Sequence, residues 1–165
     1  MSGVSLNLTY DDVAVGGALR AISAFGRDLS PLLDRIGMEL ESSTVDRFEE
    51  QRGPDGTPWT PSHRALADGG LTLVDSSHLR GSITHVVDGD AVEVGTNLIY
   101  GGVQQFGGTI SAKAGGSLSF TIGGHRVNVA SVTLPARPYL GISDVDRAVI
   151  FELVGEALFD AAGVA

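Results

Sequence analysis

Between residues 101 and 124 glycine occurs in adjacent pairs four times, at Gly101-Gly102, Gly107-Gly108, Gly115-Gly116 and Gly123-Gly124. Each glycine inside a helix costs about 1 kcal/mol relative to alanine, so this part of the chain reads as short extended runs separated by turns. None of the pairs fits GxGxxG or GxxxxGK[ST], so they are turns and not a phosphate cradle. The clearest consequence is a hairpin: SLSFTI and HRVNVA flank Gly123-Gly124, which sets Phe120 opposite Val127 and Leu118 opposite Val129 on one apolar face. A second hairpin is expected where ITHVV and AVEVG flank Asp88-Gly89-Asp90. GGTISAKAGG reads as the foot of the first, and the hairpin over residues 109–132 is expected to protrude.

The flanks are helical. VSLNLTY alternates apolar and polar residues as a strand does, and Asp11 or Asp12 can cap a helix reaching about Phe25, weakened by Gly16 and Gly17. Ser30 followed by Pro31 predicts the start of a long helix with Leu33, Ile36, Leu40 and Phe48 near one face. Asp75 is expected to cap a short helical turn carrying Leu79. Ser143 with Asp146 resembles a capping box and opens a last helix with Val145, Ile150 or Phe151, Leu153 or Val154, and Leu158 at helical spacing. Helices first, strands in the middle and a helix last predict an α+β fold: an antiparallel sheet, a meander with hairpins, packed against a long helix and a C-terminal helix. At 165 residues the chain fits a single domain, residues 1–165.

The net charge of −9 opposes binding to a phosphate backbone, so sequence-reading of DNA is not expected. Residues 94–143 contain no Asp or Glu but carry Lys113, Arg126 and Arg137, giving +3 there and leaving −12 for the rest. Carboxylates are poor strand formers, which is one explanation; a surface that meets an acidic partner, such as another copy's negative face, is the other. No apolar run is long enough to span a bilayer, and no basic region followed by an apolar stretch marks the N-terminus. With cysteine absent as well, synthesis and folding in a cytoplasm is the expectation.

Chemistry is sparsely provided. His63, His78, His85 and His125 include no pair at helical ligand spacing, HExxH and GxSxG are absent, and Ser76 and Ser77 beside His78 are neighbours in sequence without triad geometry. The Asp75-Ser76-Ser77 cluster reads as helix capping. Glu49-Glu50 and Asp88 with Asp90 are solvated acids at a helix end and a hairpin turn. No metal, cofactor or catalytic group is expected, and the chain reads as a binding or structural protein.

The sole tryptophan stands in RFEEQRGPDGTPWTP, residues 47–61, with Pro54, Pro58 and Pro61. Either Trp59 folds back over the end of the long helix, the prolines lowering the entropy cost of ordering the linker, or it anchors an interface. Arg137, between Pro135 and Pro138, is either an internal clamp on backbone carbonyls or helix-end oxygens, or part of an inter-subunit pair. Tyr100 and Phe106 read as core residues, with Gln104 and Gln105 exposed between them.

Four stretches, FEEQRGPDGTPWTP at 48–61, LVDSSHLRGSI at 73–83, VGTNLIYGGVQQFGG at 94–108 and LPARPYLGIS at 134–143, resemble in order and spacing the phage virion morphogenesis family, tail-completion or neck proteins of Mu-like tailed bacteriophages. The resemblance implies a structural virion protein, not an enzyme and without cofactor, that forms a homo-oligomeric ring of about six copies joining the tail to the head-side connector. It implies as partners further copies of the chain, tail terminator or tail tube proteins, and connector or stopper proteins. DNA would only pass through the lumen, without sequence-specific binding, and no membrane is involved. The location implied is the virion neck, at the head-proximal end of the tail, after synthesis in the host bacterial cytoplasm. The alternatives are a virion assembly factor or chaperone, or a small wall hydrolase. Candidate subunit or partner contacts are Trp59, Arg80, Gln104, Gln105, Arg126, Arg137 and Tyr139, with the 109–132 hairpin and its Arg126 expected to reach over the adjacent subunit. The acidic remainder suits a channel wall that DNA passes without adsorbing.

Overall fold

The computed structural model describes residues 13–113 and 115–163. The strand expected at residues 4–10, and Asp11 and Asp12, expected to cap the helix after it, lie outside them. In order, the elements are α1 (Val13–Phe25), α2 (Ser30–Glu50), α3 (His63–Asp68), a 3-10 turn (Arg80–Ser82), β1 (Thr84–Asp88), β2 (Ala91–Gly95) and α4 (Gly101–Phe106). The chain continues through β3 (Gly108–Ser111), β4 (Leu118–Ile122), β5 (His125–Val129), β6 (Ser131–Leu134) and α5 (Asp144–Ala162). The fold class is α+β, as the sequence predicts.

The strands pair as three separate antiparallel ribbons, β1 with β2, β3 with β6 and β4 with β5. Phe120 faces Val127 and Leu118 faces Val129, the register that the Gly123-Gly124 turn dictates. Both glycines have positive φ, 56° and 77°, as a tight two-residue turn requires. The β3–β6 ladder runs on through an Ala112 N–H to Ala130 carbonyl bond, then breaks at a turn closed by Gly116 N–H on the Lys113 carbonyl, and β4–β5 continues beyond it. Residues 108–134 are thus one long jointed arm. Its tip returns to α3, where a Cβ on Gly123 would lie 3.5 Å from that of Ala67.

Helix α2 is the central element. Its start differs from expectation: the Leu33 N–H already bonds the Leu29 carbonyl at 2.9 Å, and the side chain that covers the free N-terminus is Asp28, accepting the Ser30 N–H at 3.0 Å. Pro31 still lies in the first turn, where its missing N–H costs nothing. One end of α2 buries Leu32 and Ile36 against Leu153 of α5, with Phe25, Leu40, Val149 and Val154 around them. The other end buries Phe48 in a second cluster with Trp59, Leu79, Ile83 and Tyr139. The capping box predicted for α5 is present, Ser143 accepting the Asp146 N–H and the Asp146 carboxylate accepting the Ser143 N–H. Asp75 caps nothing; it lies 3.6 Å from Arg64, and the turn after Leu79 is 3-10 without a side-chain cap.

The β1–β2 ribbon lies across α2 at Gly37, where a Cβ would stand 2.7 Å from His85 Cγ and 2.9 Å from Val92 Cγ2. That close approach brings both His85 ring nitrogens to carboxylates of the same helix, Nδ1 at 2.7 Å from Glu41 and Nε2 at 3.2 Å from Asp34. Both nitrogens donate only when the ring is protonated. The hydrogen bonds to Glu41 and then Asp34 raise the His85 pKa above its usual 6.5. A raised pKa in the folded state stabilises the fold below the unfolded value, and the contribution is lost as pH rises through the folded value. Urea unfolding followed from about pH 6 to about pH 9 is expected to show falling stability in the parent protein. In His85→Gln this component of the pH dependence should be missing.

Candidate functional site

The four stretches singled out in the sequence converge on one place. Phe48 and Trp59 come from the first, Leu79 and Ile83 from the second, Val94 and Leu98 from the third, Tyr139 and Leu140 from the fourth, and together they form the second cluster. Phe48 is its centre, meeting Trp59 edge-on at 5.6 Å and Tyr139 tilted at 5.5 Å.

The linker that carries Trp59 is a closed loop. Gln51, left-handed at φ 59°, ends α2, and its carbonyl accepts the Trp59 N–H at 2.8 Å while Gly53 N–H bonds the Thr57 carbonyl. The indole Nε1 donates to the Pro138 carbonyl at 2.9 Å. Trp59 therefore anchors the linker inside the subunit, over the C-terminal end of α2. Arg137 is held the same way: its Nε donates to the Thr60 carbonyl at 2.8 Å, and burial pulls its pKa down. Its internal clamp is present, and no carboxylate pairs with it among the described residues. Tyr139 is fully enclosed, and burial pushes its phenol pKa up.

On α4 the expected pattern is reversed. Phe106 is 80% exposed and Tyr100 45% exposed, whereas Gln105 is half-buried and bonded three times, accepting from the Tyr139 and Leu140 N–H groups and donating to the Leu140 carbonyl. The helix explains it. Gly101 faces Tyr139 so closely that a Cβ would lie 2.8 Å from the phenol oxygen, and Gln105, four residues on, shares that inward face while Phe106 is turned outward. Gly101-Gly102 accordingly opens a helix and is not the turn that the sequence suggests. Gln104 is half-buried beside it, and its amide oxygen is the one buried side-chain polar atom without a partner among the described residues. Of the remaining candidates, Arg80 pairs with Glu49 at 3.0 Å and Arg126 is exposed on β5.

The polar centre of the subunit is a group that sequence reading missed. Arg47, buried in the last turns of α2, donates to the carbonyls of Tyr139 at 2.8 Å and Gly141 at 2.9 Å, and to Asp146 at 2.6 Å. Asp146 also accepts from Ser43 at 2.5 Å and from the Ser143 N–H at 2.6 Å. Burial works against both charges and lowers the Arg47 pKa, yet guanidinium stays charged. For Asp146 burial is outweighed by the bonds from Ser43 and Ser143 and by Arg47, so its pKa lies below the usual carboxylate value. The only sequence signal for it was the capping box, which gave Asp146 a single role.

Beside this core, between the β4–β5 ribbon, α3 and residues 75–79, lies an open groove of about 1300 Å³. Leu118, Phe120, Ile122, Val127 and Val129 line one wall, and Leu134, Pro135 and Arg137 are at its base. No group of three or more His, Asp or Glu side chains that could hold a metal occurs among the described residues, nor does a helix long and apolar enough to cross a membrane. The acids considered earlier are dispersed, Glu49 on Arg80 and Glu50 on Arg52.

The chain belongs to the phage virion morphogenesis family, whose profile matches residues 10–159, and is thus a bacteriophage virion morphogenesis protein. It is similar to "Mu-like prophage FluMu G protein 2" of Haemophilus influenzae, 30% identical over 138 residues that cover 84% of each chain. No solved structure matches it.

Loss of either partner of the buried ion pair leaves the other charge uncompensated, and about 3–5 kcal/mol of stability should disappear with Asp146→Asn. Arg47→Met is expected to cost more, because it also leaves the Tyr139 and Gly141 carbonyls unpaired. Urea denaturation read by Trp59 fluorescence measures both. The depressed Asp146 pKa adds stability that is present above the unfolded carboxylate value and lost as pH falls through the folded one.

Proposed function

We propose that the protein is a tail-completion or neck component that assembles as a ring of about six copies between the tail and the head-side connector. Membership of the virion morphogenesis family over residues 10–159 is the observation that carries this reading. The described residues add support of a physical kind. Their titratable groups are used in clamps and solvated pairs, as suits a structural part. The four family-like stretches converge in one buried cluster, as suits a rigid building block.

A ring subunit presents two unlike surfaces to its neighbours, and closure follows from the rotation between them. The carboxylate-free segment 94–143 on an otherwise acidic chain supplies one such asymmetry. Tail terminator or tail tube proteins below, and connector or stopper proteins above, are the partners of this reading, with DNA passing through the lumen. Light-scattering mass on the purified protein, alone and mixed with tails lacking it, tests it. The expected outcome is a particle near six times 17.1 kDa, or uptake of the protein onto one end of the tails. A chain that stays monomeric and never binds tails overturns the reading in favour of an assembly factor absent from the finished particle.

A further inference from the structure

The groove beneath the β4–β5 ribbon has an unfinished wall. Leu118, Phe120, Ile122, Val127 and Val129 share its apolar face, yet every one of them is only half-buried. At about 1300 Å³ the groove exceeds the ~300–1000 Å³ typical of small-molecule sites, so its size suits an element of polypeptide. Its lining includes a single carboxylate, Asp75, which lies 3.6 Å from Arg64. Arg137, buried at the base with no carboxylate partner among the described residues, leaves the site positive.

The same molecule carries a surface of the opposite kind. Helix α5 buries Leu153 towards α2, but on its other side Ala148, Phe151, Gly155, Leu158 and Phe159 recur at i, i+3, i+7, i+10 and i+11, a second apolar stripe. Phe151 is 77% exposed, Phe159 64% and Leu158 40%. Asp144 and Glu152 flank this stripe, with Arg147 near Asp144, and the other exposed charges of α5 are Glu156, paired to Arg35, and Asp160, on the side of Leu153. The groove lining contains no residue of the chain's own α5. An acidic helix with an apolar stripe and a positive apolar groove are complementary in both shape class and charge.

We infer that the outer face of α5 of one subunit docks in the β4–β5 groove of the next copy, a head-to-tail contact of two unlike surfaces. This rests on the ring reading above and names its interface. Such a contact repeats around a ring and closes it, whereas pairing of like surfaces would stop at two copies.

Because the chain has no cysteine, the contact can be mapped by cross-linking without a background. Full-length Phe120→Cys and Leu158→Cys proteins are mixed under assembly conditions, with tails lacking the protein if they are needed, and treated with a short bis-maleimide. The mixture is expected to give 120-to-158 cross-links, at least about tenfold above either protein alone, and the double variant a ladder of oligomers. Phe151→Asp, a change at an exposed position, is expected to keep its circular dichroism spectrum and weaken self-association about tenfold or more. Oligomers that form without the mixed cross-link, or that are unaffected by Phe151→Asp, overturn this interface and leave the ring reading standing. Cross-links in Leu158→Cys alone, matching those of the mixture, replace it with pairing of α5 on itself. A protein that remains monomeric alone and on tails removes the ring reading and this interface together.

Discussion

One guanidinium joins the two ends of this subunit. Arg47 stands where α2 enters the aromatic cluster, and from there it reaches the carbonyls of Tyr139 and Gly141 and the carboxylate of Asp146. Those carbonyls belong to a segment without a ladder partner among the described residues, and Asp146 lies in the first turn of α5. Without Arg47 the carbonyls of Tyr139 and Gly141 would lose the donor that satisfies them. With it, the path that places Tyr139 against Phe48 is the same path that delivers α5 to the other end of α2. Ion pairs in an interior often cancel against their desolvation, so the significance of this one lies in its geometry: a planar fork that satisfies two carbonyls and a carboxylate at once.

The clamps matter because the apolar core is small. Among the described residues eight hydrophobic side chains are buried, while fourteen large ones are exposed. Much of the chain's ordering therefore falls to polar contacts of defined direction: Trp59 on Pro138, Arg137 on Thr60, Gln105 on Tyr139 and Leu140, Gln51 on Thr72. Each joins segments remote in sequence, and each fixes a register that apolar packing alone would leave loose. Glycine has the complementary task where chains must touch, at Gly37 under His85 and at Gly101 under Tyr139.

What could be read from the sequence was local. The turn at Gly123-Gly124, the pairing across it, and the capping box of α5 depend on residues a few positions apart, and each follows from backbone stereochemistry. Tertiary partners were harder. Tyr100 and Phe106 are apolar and adjacent to a glycine pair, so composition placed them inside; the phase of α4, set by Gly101 against Tyr139, turned Gln105 inward in their place. Asp28 displaced Ser30 as the side chain over the start of α2 because the helix begins one residue earlier than Ser30-Pro31 suggests. Asp75 was drawn to Arg64, eleven residues upstream, and away from the cap. As for the candidate site, Trp59, Arg137 and Tyr139 were recognisable as distinctive, and their remote partners, the Pro138 carbonyl, the Thr60 carbonyl and the Phe48 ring, each more than 70 residues away, were not.

That separation has a consequence for how the protein comes into being. The bonds that define its centre span 99 residues for Arg47 to Asp146, 92 for Arg47 to Tyr139 and 79 for Trp59 to Pro138. During synthesis α2 and the tryptophan loop exist long before α5 and the segment around Tyr139, and contacts so distant along the chain must await closure of the intervening loop. The nascent polypeptide thus lacks the Tyr139 ring and the Pro138 carbonyl that complete the surroundings of Phe48 and Trp59 until that segment has been made. Completion of the fold is a late event in translation, and a chain cut short ahead of Pro135 is left without the ring and the carbonyl that close its aromatic centre.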